Sequence, residues 1–99
     1  MIDKEDIIMA KWDYIITNGK ELREAIDNEN AEQTVKCLIT CCEELLHKLN
    51  RRDKEDFEED MNDIIDTLYD IDSYDEDAIN DCLSDFYDIC DYVKAWVEM

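Results

Sequence analysis

Residues 30–49 read NAEQTVKCLITCCEELLHKL, and this stretch decides the fold. Its apolar side chains recur at intervals of three and four residues, which is the spacing of one buried stripe on an α-helix. The stripe consists of Ala31, Val35, Leu38, Cys42, Leu45 and Leu49. Asn30 and Gln33 have the spacing of a capping box, which predicts the helix start. We predict that the helix ends near Arg51 and Arg52, because positive side chains suit a helix C-terminus.

Stripes with the same spacing occupy the rest of the chain. The first predicts one helix over residues 4–28, with Gly19 allowing a neighbour to approach closely, and comprises Ile8, Trp12, Ile15, Gly19, Leu22 and Ile26. The third follows a predicted cap at Asp53 and comprises Phe57, Met61, Ile64, Leu68 and Ile71. The fourth follows a cap at Ser73 or Asp75 and comprises Ile79, Leu83, Phe86, Cys90, Val93 and Val97.

These four stripes predict an all-α fold, an antiparallel up-down-up-down four-helix bundle. The chain has 99 residues, one Gly and no Pro, so we expect one domain over residues 1–99 with short connections. Short connections force neighbouring helices to run antiparallel. A long three-helix arrangement or a homodimer of helical hairpins would use the same stripes, and both alternatives stay open.

Acidic residues are concentrated in the second half of the chain. The whole sequence has 29 acidic and 10 basic residues, a net charge of -19. Residues 1–52 carry 11 acidic and 8 basic side chains, whereas residues 53–99 carry 18 and 2. Helices three and four therefore cannot neutralise themselves through internal ion pairs.

Many of these acids recur at helical spacing and form what we call the acidic ladders. Helix three carries Asp56, Glu59, Asp60, Asp63, Asp66 and Asp70, and helix four carries Asp77, Asp81, Asp85, Asp88 and Asp91. The net charge of residues 53–99, spread along two helices about 30 Å long, gives roughly one charge per 1.9 Å. Duplex DNA carries about one per 1.7 Å, so the ladders predict binding to a basic, nucleic-acid-binding partner. A solvated, solubilising face is the competing interpretation.

Aromatic side chains lie among these acids. Most are expected to cover the edge of the core, but Tyr87 and Tyr92 stand beside Asp88 and Asp91 and are candidate interface anchors.

In this charge pattern the chain resembles the small acidic helical proteins that phages make against host restriction and CRISPR nucleases, several of which mimic DNA. The resemblance covers residues 53–99 and depends on the ladders, such as Asp77, Asp81, Asp85, Asp88 and Asp91. The chain also looks like the acidic helical immunity proteins that neutralise nuclease bacteriocins. Either resemblance implies a protein without catalytic activity that occupies the nucleic-acid groove of a nuclease.

Three groups of residues are candidate metal ligands. Glu44 and His47 form an E-x-x-H pair like those of di-metal bundles, but His47 is the single histidine. Cys37 and Cys41 could meet Cys82 or Cys90 to bind zinc, although packing of Cys42 and Cys90 in the core is the simpler interpretation. Residues 70–77 are rich in oxygen ligands suited to calcium but lack the expected glycine. We predict no dedicated metal site and no cofactor.

The remaining expectations concern location and competing functions. The sequence has no catalytic motif, no signal segment, no membrane span and an odd number of cysteines, which together predict a non-enzymatic cytoplasmic protein. For a phage-encoded protein this is the host cytoplasm. Direct nucleic acid binding is not expected. The alternatives are an adaptor, antitoxin, immunity or chaperone-like bundle that binds a partner protein, and a metal-binding bundle.

Overall fold

The computed structural model describes residues 14–71 and 75–97. In chain order these residues form strand β1 (Tyr14–Ile16), helices α1 (Gly19–Asp27), α2 (Ala31–Lys48), α3 (Arg51–Tyr69) and α4 (Glu76–Tyr92), and strand β2 (Ala95–Val97). The described part of the chain is therefore mostly helical and contains four helices, as the four stripes predicted. Each helix packs against the next, and α2 also packs against α4.

The predicted first helix over residues 4–28 is confirmed at Gly19–Asp27 but is wrong for residues 14–18. Residues 14–16 are a strand and α1 begins only at Gly19, while residues 4–13 lie outside the described ranges. Ile16 is completely buried, whereas Ile15, which the stripe placed in the core, is 50 % exposed. The β-branched pair at 15 and 16 favours an extended backbone, and the Asn18-Gly19 step begins the helix instead of interrupting it.

The end of helix four also differs from the prediction. Lys94 adopts a left-handed backbone conformation (φ 60°) and separates α4 from β2, which covers residues predicted to be helical. β2 pairs with β1 in parallel, with Tyr14 opposite Ala95 and Ile15 opposite Trp96. A small two-stranded sheet thus accompanies the helices, a feature that the helical periodicity did not predict.

Polar side chains cap the N-termini of α2, α3 and α4. Asn30 Oδ1 accepts a hydrogen bond from the Gln33 backbone N–H (3.1 Å), which confirms that cap. The reciprocal half of the capping box is absent here, since the Gln33 amide donates to Cys37 Sγ. Asp75, one of the two predicted caps, caps α4, and its Oδ1 accepts a hydrogen bond from the Asp77 backbone N–H. Ser73 lies outside the described residues.

Two predictions for the junction between α2 and α3 are wrong, namely the end of α2 and the cap of α3. α2 ends at Lys48, so Arg51 and Arg52 are the first residues of α3 and not the last of α2. Asn50, not Asp53, caps α3, and its Oδ1 accepts from the Asp53 backbone N–H (2.8 Å). An extended backbone at Leu49 ends α2 about three residues earlier than predicted.

One hydrophobic cluster joins the helices to both strands. Side chains of the second, third and fourth stripes fill it, with Leu38, Leu45, Met61 and Phe86 completely buried. Phe57 and Ile71 are only partly buried at its edge. Within the described ranges, no helix is long and apolar enough to cross a membrane.

Candidate partner-binding groove between α3 and α4

An open groove of about 510 Å³ runs between α3 and α4. Its walls carry carboxylates from both helices, and its floor is apolar and includes the largely buried side chains of Ile64 and Ile89. We call it the acidic groove. It is lined by Phe57, Asp60, Asp63, Ile64, Thr67, Ala78, Asp81, Cys82, Asp85, Asp88, Ile89 and Tyr92.

The structure brings part of the predicted ladders together in this groove. Five ladder acids line it, namely Asp60, Asp63, Asp81, Asp85 and Asp88. The other ladder residues are exposed on α3 or α4 but lie outside the groove: Asp56, Glu59, Asp66, Asp70, Asp77 and Asp91. The two helices therefore present their carboxylates to one shared cleft and to the surface around it.

Among residues 14–71 and 75–97, no ladder acid forms an ion pair. The cations at the start of α3 pair within their own helix with other acids, Arg51 with Glu55 and Lys54 with Glu58. Because the ladder carboxylates lack a cation from the described part of the chain, their charge is available to an external partner.

Aromatic rings close one end of the groove. The Phe57 and Tyr92 rings are tilted against each other with centroids 5.9 Å apart, and Tyr92 is 77 % exposed. Tyr87, the other predicted anchor, is half-buried beside Phe86 and does not line the groove. The stripe predicted Phe57 as a core residue, so its place in the groove was missed. Phe57 is the first residue of its stripe and lies near the start of α3, where neighbouring helices cover side chains less completely, and this position was the available signal.

Glu44, half of the E-x-x-H pair, holds the β1–α1 junction onto α2. Its carboxylate accepts hydrogen bonds from the backbone N–H and side chain of both Thr17 and Asn18, at 2.8–3.0 Å, and from Lys48 Nζ at 2.7 Å. Lys48 Nζ also donates to the Ile15 carbonyl. Partial burial alone would raise the pKa of Glu44, but the hydrogen bonds from Lys48, Thr17 and Asn18 outweigh it and lower this pKa to about 2.

A second polar contact supports the same junction. The Tyr14 hydroxyl donates to Asp53 Oδ2 (2.9 Å) and accepts from the Asn50 backbone N–H (3.0 Å). These bonds attach β1 to the start of α3. Glu44 thus has a structural role, and its neighbour His47 is exposed.

The geometry of the described residues offers no metal centre. Within residues 14–71 and 75–97, no three His, Cys, Asp or Glu side chains converge closely enough to hold an ion. Of the acid-rich segment 70–77, residues 72–74 lie outside the described ranges, Asp70 ends α3 and Asp75 caps α4.

All five cysteines are buried and belong to the hydrophobic cluster. Burial raises the pKa of Cys41 and of Cys90 to about 12, and it also raises the pKa of Cys42 and Cys82. Since the thiolate is the reactive form of cysteine, we expect Cys41, Cys42, Cys82 and Cys90 to react slowly in the folded protein.

We therefore expect the native protein to react with a thiol-specific chromogenic disulfide at least about 100-fold more slowly than the unfolded chain in mildly alkaline buffer. Both burial and the raised pKa values act in this direction. The absorbance of the released thiolate, with and without concentrated guanidinium chloride, measures the two rates. Fast stoichiometric labelling of a native thiol would contradict the packing described here.

Comparison with models of known protein families, with curated proteins and with solved structures finds no match to this chain.

Proposed function

We propose that this protein is a non-enzymatic inhibitor that binds the basic nucleic-acid-binding groove of a nuclease or a related protein. The observation that carries the proposal is that carboxylates from α3 and α4 line one cleft without ion pairs inside the described chain. Together with the other acids of residues 53–99, whose overall charge density approaches that of duplex DNA, they would attract a cationic surface suited to phosphates and release its counterions on binding. The expected class is that of phage anti-restriction or anti-CRISPR DNA mimics.

The partner and the cellular location follow from the same proposal. The partner is a basic protein, and the protein itself binds neither nucleic acid nor a membrane. An up-down-up-down order of the four helices would keep α3 and α4 antiparallel, so that both ladders follow the same cleft. We propose that it acts in the cytoplasm, which for a phage product is the cytoplasm of the host. A homodimer is an alternative to the monomer.

Competition with DNA tests the proposal directly. The immobilised protein is incubated with bacterial lysate at about 50 mM salt, and bound proteins are eluted either with duplex DNA or with about 200 mM salt. We expect both eluates to contain the same nucleic-acid-binding protein, whose nuclease activity the free protein inhibits. Retention of the captured protein in the presence of excess DNA would overturn the proposal.

A matched pair of variants tests where the charge acts. Asp81→Asn, Asp85→Asn and Asp88→Asn together remove three groove charges, and we expect roughly tenfold weaker binding to the captured protein, at a few tenths to 1 kcal/mol per lost ion pair. Three exposed acids on α1 and α2 provide the control, with Glu21→Gln, Glu24→Gln and Glu43→Gln changing the net charge equally. Isothermal titration calorimetry measures both affinities. Equal losses would show that total charge matters and the groove does not.

An adaptor-like bundle that binds a partner through an apolar surface is the second candidate. The apolar floor of the groove and the exposed ring of Tyr92 favour it. Salt distinguishes the two functions, because binding to the proposed mimic should weaken steeply between about 50 and 200 mM salt, whereas apolar docking should change little.

A further inference from the structure

We infer that the aromatic end of the acidic groove receives arginine side chains of the partner in preference to lysine. This inference depends on the proposed function, because it specifies which cation of a basic partner enters the cleft. Three features carry it: an exposed aromatic ring, a second ring that supports it, and carboxylates one helical turn away on both helices.

The Tyr92 ring is available for stacking from its solvent side. It is 77 % exposed at the end of α4, and the Phe57 ring of α3 lies 5.9 Å away at a tilt of 33°. A planar guanidinium stacks on such a ring and gains both dispersion and cation–π attraction. The compact ammonium group of lysine is more strongly hydrated and lacks the flat surface, so it gains less.

The carboxylates lie where the same guanidinium can reach them. Asp88 precedes Tyr92 by four residues on α4, and Asp60 follows Phe57 by three on α3, so each is one turn away on the same face. Both side chains line the groove with Tyr92. Neither forms an ion pair among the residues that the structure describes, which leaves their oxygens available for the forked N–H donors of arginine.

The apolar floor suits the rest of the arginine side chain. Ile64 of α3 and Ile89 of α4, both largely buried, line the groove together with the carboxylates. The methylene stem of a long cationic side chain can cover such a surface while its charged end stays among the acids. One arginine side chain can thus stack on the aromatic end, pair with the carboxylates of the wall and cover the apolar floor.

Oligoarginine and oligolysine peptides of equal length and charge test the inference on the full chain. We expect oligoarginine to bind about fivefold tighter at low salt, as measured by fluorescence anisotropy of labelled peptides. The Tyr92→Leu variant should lose this preference while its affinity for oligolysine changes less than about twofold. The Tyr92→Phe variant keeps the aromatic face and should keep the preference.

Tyr69→Leu is the matched control, because Tyr69 is also exposed (68 %) at the end of its helix but does not line the groove. It should leave both affinities unchanged, and circular dichroism checks that each variant is folded. Equal binding of the two peptides to the native protein, or an undiminished preference in Tyr92→Leu, would overturn the arginine inference alone. Failure of both peptides to bind would instead count against the proposed function.

Discussion

Replacing Phe86 by alanine is expected to lower the free energy of unfolding by about 3–5 kcal/mol. Among the residues that the structure describes, Phe86 is the largest completely buried side chain, and it lies in the middle of α4, which packs against both α2 and α3. Removing its ring deletes apolar contacts and leaves a cavity that rigid helices cannot close. Since domains of this size are stable by only about 5–15 kcal/mol, a large share of the total is lost.

Denaturant unfolding followed by far-UV circular dichroism measures this loss. Phe57→Ala is the control, because Phe57 is only partly buried at the edge of the core and its replacement should cost about 1–2 kcal/mol. Equal costs for the two substitutions would contradict the assignment of Phe86 to the centre of the core and of Phe57 to its edge.

Replacing Glu44 by glutamine is expected to cost about 2–3 kcal/mol at neutral pH. The Glu44 side chain is only 12 % exposed, and a pKa lowered from 4.5 to about 2 corresponds to roughly 3 kcal/mol of stability. The neutral amide cannot accept the full set of hydrogen bonds from Thr17, Asn18 and Lys48. The loss should therefore appear first as loosening of β1 and the start of α1.

The pH dependence of this effect has a defined sign. Because folding lowers the pKa of Glu44, its contribution is complete above about pH 4.5 and disappears as the pH falls through about 2. The stability difference between the native protein and Glu44→Gln should shrink over that range. Glu43→Gln removes the same charge from an exposed neighbour and should cost less than about 0.5 kcal/mol. A constant difference across this pH range would contradict the role of the Glu44 carboxylate.

Local periodicity was sufficient to predict α2, α3 and α4. Their apolar stripes are long, and burial of Leu38, Met61 and Phe86 confirms which face packs inward. The caps at Asn30 and Asp75 could be predicted as well, because a cap depends on residues adjacent in sequence.

The first segment could not be predicted in this way, because its structure depends on distant residues. Ile15 and Gly19 continue a helical spacing, yet residues 14–16 form a strand because Ala95 and Trp96 pair with them, and Glu44 binds Thr17 and Asn18 just after it. No local pattern contains the partner of a parallel strand. The same applies to the acidic groove: the ladders were visible in the sequence, but the meeting of Asp60, Asp88 and Tyr92 required α3 and α4 to be packed together.

The parallel pairing of β1 with β2 has a consequence for the order of folding. The paired strands lie about 80 residues apart in the chain, so closing this contact has a large entropic cost, and a two-stranded sheet is barely stable alone. During synthesis at about 5–20 residues per second, β1 leaves the ribosome several seconds before its partner strand exists. We therefore expect the helices to assemble first and the pairing of β1 with β2 to form last among the long-range contacts.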